Sequence, residues 1–394
     1  MLEEVFMDPS PPMSLRSKTA SLPARRSARG GGRLRDVLAV IAVNVGVLLM
    51  LALVGELIFG QWITGRPLGR LAVPRNVKKT RDTAPLYRGG SEFIYQRDAF
   101  GFRGAGVDPA RISILTIGGS TTNQVDLPED VTWQAVLERS LHEHGYDRVV
   151  VANAGVDGQS TVGLIADLEL WFPNVPHLKP HLVVAYVGIN DVYIAAPSAS
   201  HEAIDEGERR QHERDGLRPS SLRREIEQRS AFVLLWTTIA GMLEADRAHL
   251  RHEARDFAAV QWTDQPAQPI WPAAQLEINL AAYKDRLVRI AELVEGRDAV
   301  PVFVTQTRAD YRLDGGRLSG IVTVSGPNGV DRGRALTRFN AATLDVCRER
   351  HVVCLDLATE LRFSDGDFYD YEHNTPQGAE KIGRWLADKL AGLV

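Results

Sequence analysis

Five short apolar runs alternate with helical patterns from residue 111 onwards, and this alternation limits the folds open to the chain. The runs are ISILTIGG (112–119), RVVVANAG (148–155), HLVVAYVGIND (181–191), AVPVFVTQT (299–307) and VVCLDL (352–357). The third run is continuously apolar, as a strand covered on both faces should be. Strands that alternate with helices are typical of a parallel sheet with helical crossovers. The pattern therefore predicts an α/β fold.

Amphipathic patterns predict the intervening helices at 130–145, 161–172, 276–296, 335–351 and from Pro376 to the end. A charge-dense region at about 196–270 interrupts the alternation. This composition fits either a solvated helical insertion or a lid or platform that shapes a substrate cleft, and the sequence does not decide between them. Its apolar stretch at 232–243 is too short to be a second membrane span.

The N-terminal part has a different composition. Residues 1–35, rich in Pro, Ser, Arg and Gly, predict a disordered basic tail. Residues 37–55 carry no charge. Nineteen helical residues at about 1.5 Å each nearly span the ~30 Å hydrocarbon core of a bilayer. We predict a transmembrane signal anchor at 36–60, a stalk and approach segment at 61–110, and the main domain at 111–394.

Basic residues around the apolar stretch predict its orientation. Those before it are Arg25, Arg26, Arg29, Arg33 and Arg35, and those after it are Arg66, Arg70 and Arg75. The excess favours a cytoplasmic tail and an exported body, although Lys78, Lys79 and Arg81 weaken the bias. A cleaved signal peptide fits less well, because no A-x-A site follows the long apolar run. We predict a single-pass cytoplasmic-membrane protein with an extracytoplasmic body.

The composition excludes some classes of function. A net charge of -4 gives no bulk attraction to nucleic acid. Two cysteines, Cys347 and Cys354, are too few for a disulfide scaffold or a zinc site. We expect two buried thiols, although an oxidising compartment would allow them to bridge. We predict no metal and no cofactor, and the sequence leaves the oligomeric state open.

The first three strands all end in glycine and small polar residues, in GGSTT, NAGVDGQST and GIND. The carboxyl ends of parallel strands meet at one edge of the sheet, where α/β proteins bind ligands. Gly118 and Gly119 allow a turn that exposes Ser120 at a helix N-terminus. A helix cap fits GGSTT as well, whereas a phosphate loop does not, since no Lys follows the glycines. The convergence of three such ends indicates a site.

DYEHNTPQG, shortly before the last helix, supplies a candidate base. Asp370 and His373 lie three residues apart, so a carboxylate oxygen can face a ring nitrogen within one turn. A serine nucleophile needs a base, and the base needs an orienting acceptor. Glu372 is the competing acid, but side chains of adjacent residues tend to diverge. Ser120, His373 and Asp370 therefore form a candidate catalytic set.

The order GGSTT, NAGVDG, GIND and DYEH resembles the SGNH (GDSL-type) hydrolases over about residues 111–390. YQRDAFGFRG also resembles the approach segment of membrane-anchored bacterial members. The resemblance implies a three-layer α/β/α sandwich with a parallel, flavodoxin-like five-stranded sheet, and metal-free ester hydrolysis. It assigns Ser120 as nucleophile, His373 as base and Asp370 as its partner. Donors to the oxyanion are the Ser120 N–H, the Gly158 N–H and the Asn190 side chain. Gly119 replaces the family's usual Asp.

The resemblance and the predicted anchor together suggest a substrate. An exported, membrane-tethered esterase has cell-envelope glycans within reach, so we expect removal of O-acetyl or other short acyl groups from carbohydrate. An acyltransferase that passes the acyl group to a sugar hydroxyl uses the same residues and remains an alternative. A non-catalytic carbohydrate-binding assembly protein is the third hypothesis, although binding alone does not need an acid–histidine pair.

Overall fold

The computed structural model describes residues 30–60, 62, 73–195, 230–233, 235–236 and 252–394. The predicted tail up to residue 29, residues 63–72 of the stalk and most of the 196–270 insertion lie outside these ranges. The chain divides into two units, Met1–Phe59 and Gly60–Val394, which are described separately.

The first unit contains one long helix, α1, at Gly30–Phe59. Its segment Arg35–Phe59 has a mean hydropathy of 2.9 and none of it is buried. The polar Asn44 side chain donates from Nδ2 to Val40 O at 2.8 Å, which satisfies it within the helix. The helix is long and apolar enough to cross a membrane, a criterion that a signal sequence also meets.

The second unit consists of short strands and helices in alternation. Its elements are β1 Val77–Asp82, β2 Glu92–Arg97, β3 Ile114–Gly118, α2 Ser120–Asn123, α3 Trp133–Glu143, β4 Val151–Asn153, α4 Thr161–Ala166, β5 Leu182–Tyr186, β6 Trp262–Thr263, α5 Ala273–Glu295, β7 Val300–Val304, β8 Tyr311–Asp314, β9 Arg317–Ile321, α6 Gly329–Arg350, β10 Val353–Leu355, α7 Leu357–Glu360 and α8 Pro376–Leu390.

The central sheet has five parallel strands in the order β10–β7–β5–β3–β4. Read in chain order, this is the 2-1-3-4-5 arrangement of flavodoxin-like sheets. Side chains from α4, α5 and α6 pack on one face, including Leu164, Leu287 and Phe339. Side chains from α3 and α8 pack on the other, including Trp133 and Ile382. The predicted three-layer α/β/α sandwich is confirmed.

Local sequence determines where the crossover helices begin. Thr132 caps α3 by accepting from Ala135 N, and Thr375 caps α8, which starts at Pro376 as predicted. Asn328 and Asp331 form a capping box at the start of α6. The helix therefore begins at Gly329, six residues before the apolar pattern that predicted it, because caps satisfy the free N–H groups of the first turn.

Residues 73–110, which the sequence assigned to the stalk and approach segment, share their core with the main domain. β1 and β2 form an antiparallel hairpin. Val73 and Phe102 are buried in the same cluster as the central strands. Arg103 N donates to Asn153 O at 2.9 Å, at the end of β4. The hairpin is therefore joined to the edge of the sheet that carries the candidate site.

The cysteine prediction is wrong. Cys347 and Cys354 form a disulfide with a Cα–Cα distance of 6.0 Å, within the usual range for such bonds. Cys347 lies in the last turn of α6 and Cys354 lies on β10. His351 ends the helix in the left-handed region, at φ 57°, and the chain turns back along it. The residue spacing alone does not reveal this reversal.

Candidate active site

Ser120 is the first residue of α2, directly after the turn that ends β3. A Cβ on Gly119 would overlap Asn190 Nδ2 and lie 3.0 Å from Gln159 O. A Cβ on Gly118 would lie 2.8 Å from Tyr186 O. The two glycines therefore serve a purpose beyond the turn, because they let neighbouring strand ends approach the serine.

Asp370 and His373 lie in the loop before α8. An isolated bridge between Phe368 and Asn374 closes the loop at its base. Asp370 Oδ1 accepts the backbone N–H groups of Glu372 at 2.8 Å and His373 at 2.7 Å. One carboxylate oxygen thus shapes the loop, which leaves the other free to face the imidazole.

The three side chains form a continuous hydrogen-bonded line. Ser120 Oγ lies 2.8 Å from His373 Nε2, and His373 Nδ1 lies 2.8 Å from Asp370 Oδ2. The histidine side chain is 11% exposed and the aspartate side chain 15%. The structure therefore brings together residues from opposite ends of the folded body, in the order that base-assisted nucleophilic attack requires.

The electrostatics of the pair match this order. Burial of the His373 ring lowers its pKa, but the hydrogen bond and charge of Asp370 outweigh this effect and raise the pKa above its usual value. Burial raises the pKa of Asp370, and the contact with His373 more than offsets it, so the carboxyl pKa is lowered. The aspartate is therefore ionised and stabilises an imidazolium.

The predicted oxyanion donors lie around the same turn. Asn190 Nδ2 donates to Gln159 O at 2.7 Å, and its second hydrogen has no partner among the described residues. Gly158 precedes Gln159 in the loop after β4 and has a φ of 78°. Within the described part of the chain, the backbone N–H groups of Ser120 and Gly158 have no hydrogen-bond partner. These donors remain available to a ligand.

Glu372, the competing acid, is engaged elsewhere. Its carboxylate pairs with Arg308, which is itself held by Asp310 through contacts of 2.9 and 3.1 Å. Arg308 is only 6% exposed, so its side chain makes this ion pair inside the protein. Asp370, not Glu372, faces the imidazole.

Two buried arginines of the approach segment support the site, and sequence reasoning did not identify them. Arg97 donates to Gly101 O at 2.8 Å and to Gly155 O at 2.9 Å, in the loop that carries Gly158. Arg103 donates to the carbonyl oxygens that follow α2 and pairs with Glu129 at 3.0 Å. The sequence signal was FIYQRDAFGFRG, whose arginines stand among aromatic residues.

His252 was also missed, although its ring stacks on that of His373 with centroids 4.1 Å apart. Ligand-type atoms of His252, Asp370 and His373 lie within 4.8 Å of one another, a spacing that could hold a metal ion. Both ring nitrogens of His373 already have partners, Asp370 Oδ2 for Nδ1 and Ser120 Oγ for Nε2. A metal would have to break these hydrogen bonds.

Comparisons with known proteins find similar solved structures only at low sequence identity. Among solved structures, the carbohydrate acetylesterase Est24 from Sinorhizobium meliloti is 11% identical, with a TM-score of 0.37 over 72% of this chain and 100% of that chain. The M. smegmatis aryl esterase is 15% identical, with a TM-score of 0.36 over 71% of this chain and 99% of that chain. Neither structure is similar enough to indicate a role for this chain. No curated protein matches the chain.

The family assignment rests on a family model instead. Residues 116–381 match the GDSL-like lipase/acylhydrolase family, over more than half of the chain. The matched range includes every residue of the candidate site and confirms the predicted resemblance. The chain belongs to the GDSL-like lipase/acylhydrolase family and is a serine hydrolase of carboxylic esters.

Proposed function

We propose that the protein hydrolyses O-acyl esters with Ser120 as nucleophile, His373 as general base and Asp370 as the acceptor that orients the imidazole. The observation that carries this proposal is the unbroken line of two 2.8 Å hydrogen bonds from Ser120 through His373 to Asp370. A serine hydroxyl attacks only weakly until a base removes its proton. A site that merely binds carbohydrate has no need of such a line, so catalysis is favoured over binding.

The reaction proceeds in two acyl-transfer steps. Ser120 Oγ attacks the ester carbonyl carbon while His373 Nε2 takes the serine proton and then delivers it to the departing alcohol. The acyl group is left on the serine. His373 next takes a proton from water, which attacks the carbonyl carbon of the acyl-serine. The bond from that carbon to Ser120 Oγ then breaks, His373 returns the proton to the serine oxygen, and the carboxylic acid is released. The imidazolium formed in each step is stabilised by the ionised Asp370.

Three donors stabilise the negative charge that develops on the carbonyl oxygen in both steps. They are the backbone N–H groups of Ser120 and Gly158 and the free hydrogen of Asn190 Nδ2. The absence of other partners for these N–H groups among the described residues supports this role. Donors fixed in place before the reaction act without reorganisation, and one such donor typically contributes on the order of 10²–10³ in rate.

A narrow recess lies next to the turn that carries the nucleophile. It is bounded by Gly119, Leu164, Tyr186, Asn190 and Gln306 and has no room for a water molecule. Gln306 is fixed there, because it accepts from Ile189 N at 2.7 Å and donates to Thr121 Oγ1 at 2.8 Å. We propose that the acyl group is acetyl or similarly short, because this recess has no room for a long chain.

We further propose that the substrate is acylated carbohydrate of the cell envelope, and that α1 anchors an extracytoplasmic body to the cytoplasmic membrane. The length and hydropathy of Arg35–Phe59 support the anchor. The disulfide between Cys347 and Cys354 supports an oxidising compartment, because such bonds are rare in the cytosol. A domain tethered outside the cytoplasm has the acyl esters of envelope glycans within reach.

Ser120→Ala tests the catalytic assignment in the full-length protein in detergent. We expect hydrolysis of 4-nitrophenyl acetate to fall to background and labelling by a fluorophosphonate to disappear, because both need the hydroxyl. Ser91→Ala, at an exposed serine before β2, is the matched control and should keep both signals. Hydrolysis by Ser120→Ala at the wild-type rate would end the proposal.

Two further comparisons refine the proposal. Asp370→Asn should lower kcat strongly whereas Glu372→Gln should not, because only Asp370 faces the His373 ring. Incubation with acetylated and unacetylated oligosaccharides separates hydrolysis from transfer. Release of free acetate from the acetylated sugar supports hydrolysis. Appearance of acetate on the unacetylated sugar would show that the protein is an acyltransferase.

A further inference from the structure

A second histidine contacts the candidate base directly. The rings of His252 and His373 stack with centroids 4.1 Å apart and an interplanar angle of 26°. His252 lies within the charge-dense region of the sequence and belongs to none of the four motifs. Its side chain is 24% exposed, so it lies at the border between the interior and the mouth of the site.

His252 is held in place by groups that are themselves fixed. Its Nδ1 lies 2.6 Å from Asp126 Oδ2 and 3.0 Å from the Tyr369 hydroxyl. The Asp126 side chain is 1% exposed and also pairs with Arg81 of β1. Burial raises the pKa of Asp126, but its hydrogen bonds with His252 and Arg81 prevail and lower that pKa to about 2. An ionised carboxylate only accepts, so Nδ1 of His252 carries a proton.

This arrangement forms a second histidine–aspartate pair beside the first. We propose that His252 is a positioning residue, which packs against the ring of His373 and keeps it aligned between Ser120 and Asp370. The inference rests on the proposed function, in which His373 is the base. The two hydrogen bonds of His373 restrain its ring nitrogens, and a flat ring 4.1 Å away blocks tilting of the ring plane.

The stacked ring also affects the charge that His373 gains during the reaction. A neutral aromatic face stabilises a nearby cation, whereas a second positive charge at that distance would repel it. The other charged and titratable groups around the two rings are Arg81 from β1, Asp126 from the loop after α2, Asp157 from the loop after β4, and Tyr369, Asp370 and Glu372 from the loop before α8.

Two substitutions separate packing from charge. His252→Phe keeps an aromatic ring but removes the proton-binding nitrogens, and His252→Ala removes both. For His252→Ala we expect kcat on 4-nitrophenyl acetate to fall by roughly ten- to a hundredfold with KM little changed, because a displacement of about 1 Å can cost on the order of 10² in rate. For His252→Phe we expect kcat close to wild type.

The pH profile distinguishes this role from a merely structural one. In His252→Phe the ionised carboxylate of Asp126 loses its imidazole partner, and its negative charge then acts more strongly on the His373 ring. This change favours protonated His373, so the acid limb of kcat/KM should move to higher pH. His144→Ala is the matched control, since His144 is an exposed histidine that also faces an aspartate, Asp388, at 3.7 Å. Its profile should equal that of the wild type.

The outcomes are distinguishable from failure of the proposed function. If both His252 variants keep the wild-type kcat and acid limb while Ser120→Ala is inactive, this inference is wrong and the proposed function stands. If Ser120→Ala still hydrolyses the ester, the proposed function is wrong and the inference falls with it. Should His252→Ala fail to fold, the acid limb of His252→Phe decides alone: a shift to higher pH supports the inference and an unchanged limb refutes it.

Discussion

Gly119 offers the sharpest test of the oxyanion site, because a single methyl group placed there separates the fold from the chemistry. Its φ of −83° lies outside the left-handed region that only glycine adopts readily. The added Cβ would overlap Asn190 Nδ2 and lie 3.0 Å from Gln159 O. The cheapest relief is movement of the Asn190 amide, the free end of a side chain. The fold should therefore survive while the donor leaves its position.

The expected loss of kcat follows from the role of the displaced Asn190 amide as an oxyanion donor. Asn190 Nδ2 is fixed by one 2.7 Å hydrogen bond to Gln159 O, and the Cβ would press against the donor of this bond. Loss of one oxyanion donor typically costs on the order of 10²–10³ in kcat, or about 2.7–4 kcal/mol. We expect Gly119→Ala to show a loss of this size, with KM little changed and the unfolding midpoint close to wild type.

A double-mutant cycle isolates the cause. Asn190→Ala alone should lose kcat by a similar factor, because it removes the same donor. Gly119→Ala combined with Asn190→Ala should then be no slower than Asn190→Ala, since the side chain that the methyl group displaces is already absent. Steady-state hydrolysis of 4-nitrophenyl acetate gives all four rate constants. Multiplication of the two losses in the double variant, or wild-type activity of Gly119→Ala, would refute the reasoning.

Three further predictions concern the pKa of His373, the hydrogen bonds of Arg97 and the disulfide bond. The pKa of His373 is raised by Asp370, so in a pH-rate profile the acid limb should lie above the usual histidine value of about 6.5, since activity falls as the base becomes protonated. Arg97→Met leaves two buried carbonyl oxygens without their donor, and urea unfolding should show a loss of about 1–3 kcal/mol. Replacing Cys347 and Cys354 by serine should cost roughly 2–3 kcal/mol in the same assay, with little effect on kcat.

The sequence predicted the central sheet because each strand carries its own evidence. All five apolar runs are strands, and their order is the flavodoxin-like one that the family resemblance implies. The antiparallel pieces were not predicted. β1 and β2 read VKKTRD and EFIYQR, in which polar residues dominate, and β8 and β9 are short with exposed faces. Their pairing depends on contacts with the body, which periodicity does not report.

The site was predictable for a related reason. Ser120, Gly158 and Asn190 each follow a strand at one edge of a parallel sheet, so topology alone brings them together once the strands are assigned. Asp370 and His373 are close in sequence and need only one loop to meet. The disulfide depended instead on a left-handed residue at the end of α6, and no residue spacing encodes that turn.

The residues that hold the reacting side chains in place are harder to predict from the sequence than the reacting residues themselves. Arg97 supports the Gly158 loop through a backbone carbonyl, and any sequence offers that acceptor, so the contact leaves no motif in its partner. His252 reaches His373 across a ring face, where packing restricts the orientation of the neighbour without a fixed spacing. The reaction requires particular atoms at particular strand ends, so the reacting residues can be predicted from short sequence motifs. The residues that hold them in place need only the right shape or a hydrogen-bond donor, so they are identified only from the folded structure.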